Sequence, residues 1–190
     1  MQENELASRR FLFILGSNRA GNSEALARHA AAALPGDVHQ DWKRLSELPL
    51  TALRDTGNYA PADGLQPSGN ERVLLDATLR ATDVVVVSPL YWYSVSASVK
   101  LYLDYWGCWL HIPQVGFRSR MRGKVMWSVT ATADDPVKAG PLVESLKLSA
   151  EYLGMKWGGE VVGRSYRPGD VHAEADTIER AKMLFQVGIS

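Results

Sequence analysis

The chain carries one cysteine, Cys108, in 190 residues. A lone thiol excludes an internal disulfide framework, a cysteine-based zinc site and a cysteine-held iron–sulfur cluster within one chain. Charge of one sign is lacking too, since 21 Lys and Arg balance 21 Asp and Glu. No net field therefore draws the protein to nucleic acid or to an anionic membrane. No apolar run approaches the length of a membrane span. The opening MQENELASRR lacks the apolar core of a secretory signal, so a cytoplasmic setting is the expectation. His29, His39, His111 and His172 are scattered without ligand spacing, so no metal site is expected. No G-x-S-x-G elbow supports a hydrolase.

What the sequence does hold is alternation. Residues 11–15 read as a short, unbroken apolar run, 83–88 as the cleanest strand with four β-branched residues in a row, and 124–130 and 157–165 as further strands, with 38–44 a weaker candidate. Between them the apolar spacing turns helical over 22–34, 71–81, 96–110, 136–153 and 173–187. Strands that read as continuous apolar runs and alternate with helices imply a parallel sheet covered on both faces. The predicted fold is one α/β domain over 1–190: a flavodoxin-like three-layer sandwich with five parallel strands in the order 2-1-3-4-5. Residues 51–69 collect Pro, Gly, Asp and Asn without periodicity, which suggests a functional loop.

In that strand order the ligand crevice lies beyond the carboxyl ends of the first and third strands. The first strand runs into GSNRAGNS, residues 16–23. This is almost a triphosphate-binding loop, with two glycines and a final hydroxyl, but Asn22 stands where the lysine belongs. Backbone N–H groups at a helix start, with donors from Ser17, Asn22 and Ser23 and a charge from Arg19, suit one terminal phosphate monoester. The plainer reading, that Asn22 or Ser23 merely caps the helix, stays open at this point. The third strand runs into Pro89-Leu90-Tyr91-Trp92-Tyr93-Ser94. Three consecutive aromatics there suit a flat heteroaromatic ligand, although such rings also pack as core.

These stretches, GSNRAGNSEAL (16–26) and SPLYWYSVSASVKLYLD (88–104), resemble the flavodoxin-like NAD(P)H-dependent FMN reductases and quinone reductases. The resemblance implies FMN as cofactor and NADPH or NADH as electron donor. It implies a phosphate site built from Ser17, Arg19, Asn22, Ser23 and the backbone of Glu24. It places the flavin ring against Pro89, Leu90, Tyr91, Trp92, Tyr93 and Ser94, with Thr130 and Thr132 behind it. Where the family has a Gly-rich turn after the fourth strand, this chain has Thr130-Ala-Thr-Ala-Asp-Asp135. Hydride would pass from nicotinamide to flavin and on to a small-molecule acceptor (a quinone, an aromatic or a flavin) in a ping-pong cycle, with no catalytic side chain. A flavodoxin-type electron carrier and a non-catalytic flavin-binding module are the alternatives. The resemblance further implies a homodimer or homotetramer. Trp106 and Trp109, with Leu110 and Ile112, could close such an interface over the flavin, while Lys100 and Asp104 would pair along their helix. Cys108, in the same apolar segment, reads as packing rather than nucleophile.

Overall fold

The computed structural model describes residues 9–53 and 66–186. Its centre is a parallel sheet of β1 (Arg10–Leu15), β2 (His39–Arg44), β3 (Asp83–Pro89), β4 (Val125–Thr132) and β5 (Lys156–Arg164). The order across the sheet is β2-β1-β3-β4-β5, the predicted one. The connections are α1 (Asn22–Ala32), α2 (Gly69–Arg80), α3 (Ala97–Leu110), the short α4 (Phe117–Met121), α5 (Gly140–Tyr152) and α6 (Ala175–Met183).

Successive strand residues point to opposite faces, and both faces are dry. Leu12, Ile14, Val84, Val86 and Met126 join the core under α2, α3, α4 and α5. Phe11, Phe13, Leu15, Val85, Val87, Trp127 and Val129 join the core under α1 and α6. That is why the inner strands read as continuous apolar runs rather than as alternation.

Three elements differ most from the sequence reading. The expected helix over 136–153 splits into a 3-10 turn, Pro136–Ala139, followed by α5. Asp135 caps the turn by accepting from Val137 N (3.0 Å), and Pro141 opens the α-helix where its missing N–H has no partner to lose. The last helix likewise begins only at Ala175, after a 3-10 turn over Asp170–Ala173. α4 was not foreseen, being a single turn of helix too short for its periodicity to register. The expected 51–69 loop lies largely outside the described residues.

Candidate active site

The carboxyl end of β1 meets the start of α3 at very close range. A Cβ on Gly16 would lie 2.4 Å from Val99 Cγ2 and 2.5 Å from Ser96 Oγ, so only glycine fits there. Ser98 Oγ donates to Gly16 O (3.2 Å) and Arg44 Nη1 to Ser17 O (2.9 Å), which fixes both carbonyls at the entry of the loop. The loop then rises into solvent, with residues 18–20 exposed, and re-enters at Gly21, the N-cap of α1. No side chain caps α1. Its first intrahelical bond runs from Ala25 N to Gly21 O (2.9 Å), which leaves the N–H groups of Asn22, Ser23 and Glu24 without helical partners. The positive end of the helix dipole stands behind them.

The side chains of this loop divide in a way the sequence did not reveal. Asn22 offers its amide to the turn after β5 rather than to the crevice. Its Nδ2 donates to Arg167 O (2.9 Å) and its Oδ1 accepts from Gly169 N (2.8 Å). Ser23 is buried, and its Oγ accepts from Ala131 N (3.0 Å), tying α1 to β4. The Glu24 carboxylate accepts from Arg44 (2.6 Å) and Arg28 (3.1 Å). Burial alone would raise its pKa, but these hydrogen bonds outweigh burial and hold the carboxyl below its ordinary value. Arg19 is exposed and has no ion pair among the described residues.

Across the crevice, β3 ends in a tight turn over residues 91–94. Tyr91 N donates to Ser94 O and Ser94 N to Tyr91 O, both at 3.0 Å. The two central residues, Trp92 (φ 49°) and Tyr93 (φ 64°), both lie in the left-handed region. Two-residue turns of this hand favour Asn and Gly, so an aromatic pair there is strained. The base of the turn is pinned from both sides. Leu90 N donates to Ala131 O (3.2 Å), and Ser96 N donates to the buried Ser88 Oγ (2.9 Å). The Trp92 and Tyr93 N–H groups have no protein partner among the described residues. Trp92 is 94% exposed, and Tyr91 and Tyr93 are open as well.

The remaining expected residues fall on β4. Thr132 accepts from Asp134 N (3.1 Å) through its Oγ1. Thr130 is wholly buried, and its hydroxyl donates to Ser88 O (2.7 Å). Thr130 thus belongs to the fold and presents no surface to a ligand. Trp106, Trp109 and Ile112 are also interior: Trp109 packs against Tyr102, Tyr105 and Phe117 and donates to Glu71 Oε1 (2.9 Å). They build the core beneath α3 rather than an apolar lid. Leu103, Trp106 and Leu110 also line an apolar groove of about 640 Å³ between α3 and α5, whose other wall includes Pro141, Leu148 and Tyr152. Lys100 and Asp104 form the expected ion pair. Cys108 is half-buried and its thiol is pushed up by burial, which makes it a poor nucleophile.

Sequence reasoning missed Arg44, Ser88, Ser96 and Ser98. The serines carried a readable signal, since Ser88 and Ser96 flank the aromatic turn symmetrically. Arg44 carried none, because only the β1–β2 pairing brings it beside Ser17. Among the described residues there is no helix long and apolar enough to cross a membrane. Nor is there any cluster of three or more metal-ligating side chains.

Known proteins resemble this chain over most of its length. A Bacillus subtilis (strain 168) protein named as an NAD(P)H-dependent FMN-containing oxidoreductase, YwqN, is 26% identical over 174 residues, covering 90% of this chain and 93% of its own. The structure of the Trp repressor binding protein from Bacillus subtilis superposes with a TM-score of 0.72 at 22% identity, over 92% of this chain and 97% of that one. An FMN-dependent NADH-azoreductase from Bacillus anthracis, solved in complex with FMN, gives 0.62 at 15% identity, over 93% and 99%. At such identities these two structures support the fold alone. The family model for NADPH-dependent FMN reductase matches residues 9–164, from the start of the sheet to the end of β5, and the chain belongs to that family.

Proposed function

We propose that FMN lies along this rim, with its phosphate at the 16–23 loop and its ring against the 89–94 turn. The observation that carries the reading is the meeting of two uncommitted features at the β1/β3 crevice. One is a helix start whose three N–H groups have no partner among the described residues, and the other is a strained turn that leaves three aromatics open. Gly21 supports the assignment. A Cβ there would meet nothing closer than Ser17 Oγ at 3.8 Å, so the fold itself leaves room that an approaching phosphate would fill. Ser17, Arg19 and the backbone N–H groups of Asn22, Ser23 and Glu24 hold the phosphate. Pro89, Leu90 and Tyr91 flank the ring, while the Trp92 and Tyr93 N–H groups face its polar edge.

FMN bound there supplies the two-electron exchange between NAD(P)H and an acceptor. The protein positions both partners and stabilises negative charge at the polar edge of the ring through fixed backbone donors. No side chain has to move a proton. The nicotinamide and a flat acceptor (a quinone, a nitro- or azo-aromatic, or a free flavin) share one exposed face in turn, which predicts a ping-pong cycle. The apolar α3–α5 groove, with Leu148 and Tyr152 more than half exposed beside it, is the face on which a second copy of the chain docks to form a homodimer.

Titration of the purified protein with FMN, followed by anaerobic addition of NADPH and then a quinone, tests the reading. Tight FMN binding, bleaching of the flavin bands and parallel double-reciprocal lines are expected. Binding without bleaching would point to an electron carrier, intersecting lines would exclude a shared face, and no binding would remove the cofactor assignment. Sedimentation of wild type and Leu148→Glu tests the dimer, which the charge should dissociate.

A further inference from the structure

Arg44, the last residue of the edge strand β2, has three acceptors around one guanidinium. It donates to Ser17 O (2.9 Å) and Glu24 Oε2 (2.6 Å), and its Nε makes an ion pair with Glu47 Oε1 (3.3 Å). Its side chain is only 16% exposed, far from the solvated surface arginine that the end of an edge strand normally carries. Two consequences follow for the 16–23 loop. A trans peptide is planar, so the Ser17 carbonyl held by Arg44 fixes the Asn18 N–H in the opposite direction, away from the guanidinium. The second consequence concerns charge. Glu24 sits in the first turn of α1, directly behind the orphan N–H groups, and its carboxylate is nearly buried. Uncompensated, it would oppose an incoming anion and cancel much of the helix dipole. Arg28 contacts only the other carboxylate oxygen and is half exposed; Arg44 is the buried partner.

We infer that Arg44 is a positioning residue for the cofactor phosphate. It holds the loop in its anion-receiving form and neutralises Glu24, so that the helix N-terminus acts on the phosphate unopposed. The inference rests on the FMN reading above and adds to it a residue that never touches the ligand. It replaces the missing loop lysine in one respect only: the positive charge is present, but it acts from behind the loop rather than from within it.

The distinguishing measurement is the affinity for FMN against riboflavin, which differ only in the phosphate, read by quenching of flavin fluorescence. Wild type should prefer FMN; equal affinities would sink the phosphate assignment itself, before Arg44 is at issue. Arg44→Met should weaken FMN by about tenfold or more and leave riboflavin within about twofold. Arg44→Lys keeps a charge but loses the fork that spans Ser17 O and Glu24, and should fall between. Adding Glu24→Gln to Arg44→Met should recover part of the loss, because the exposed repulsion is gone. A preference for FMN that stays at the wild-type ratio in the Met and Lys variants would overturn the proposal. So would an equal loss for both ligands, which is what a general structural role predicts. Absence of recovery in the double variant would overturn the charge-neutralising role. Should Arg44→Met fail to fold by circular dichroism, the same ratio in Arg44→Lys, with and without Glu24→Gln, decides the matter.

Discussion

Two aromatic groups lie within twenty residues of each other and meet opposite fates. Tyr102, Trp106 and Trp109 on α3 are buried to within a few per cent and stack edge to face in the core. Tyr91, Trp92 and Tyr93 on the turn before it stand in solvent, and two of them hold a left-handed backbone. The first group lowers the free energy of the fold through burial. The second raises it, through exposed apolar surface and two unfavourable φ angles, and gives the core nothing in return. Residue type therefore does not separate core from site here. What separates them is whether the fold uses the group.

The largest test of that division is at Trp109. Trp109→Ala should cost about 3–5 kcal/mol, because it empties a core position and leaves the Glu71 carboxylate without its donor. A large fall in Tm should appear in the apo protein, with or without flavin. A Tm within a degree or two of wild type would mean that α3 is not the core helix described above.

The two glycines of the loop repeat the contrast in miniature. Gly16 is used by the fold, and Gly16→Ala should cost about 1–3 kcal/mol as Val99 and Ser96 are pushed back. Gly21 has ordinary φ (−138°) and open space, so Gly21→Ala should leave stability within about 0.5 kcal/mol of wild type. It should nevertheless weaken FMN binding, measured by fluorescence titration. Equal destabilisation at both positions would erase the distinction.

At Trp92 the sign reverses. Trp92→Gly removes a side chain with almost no burial and relaxes a left-handed residue, so stability should be unchanged or higher by up to about 1 kcal/mol. Reduction of a quinone by NADPH should fall roughly three- to tenfold, because glycine leaves the donor N–H in place but loosens the turn that aims it at the ring. A variant that is both less stable and fully active would show that the turn serves folding after all.

The same division explains how much was legible in the sequence. The strand order followed from the unbroken apolar runs at 11–15 and 83–88, since a strand dry on both faces has few other readings. The two loops proposed here to hold the cofactor were also visible as neighbours, because strand order alone brings the ends of β1 and β3 together. Partner choice was not visible. Asn22, Ser23 and Thr130 are all hydrogen-bonding side chains beside the crevice, and all three are engaged within the protein, by the 167–169 turn, by β4 and by β3. Trp109 is wholly buried and Trp106 nearly so, although Trp106 also lines the α3–α5 groove. A helix with aromatics at 102, 105, 106 and 109 and leucines at 103 and 110 has more than one apolar face, so its spacing alone does not say which face is turned to the core. Long-range pairings such as Arg44 to Ser17 leave no local periodicity at all.

Glu24 gives the smallest effect and the most specific one. It is a charge the fold uses, beside a loop whose other charge, Arg19, has no ion pair among the described residues. Because Arg44 and Arg28 hold its folded pKa below the ordinary 4.5, the ionised carboxylate contributes stability that is fully present above 4.5. That contribution is lost as pH falls from there through the lower folded value, since the unfolded chain takes up the proton first. Glu24→Gln removes the titration. Thermal melts at descending pH should therefore show a shallower acid limb for the variant, with the two curves parallel above pH 5. An unchanged acid limb would mean that the carboxylate titrates alike in both states. In that case the Arg44–Glu24 contact would do no electrostatic work, and α1 would have to present its N-terminus to the phosphate with a negative charge behind it.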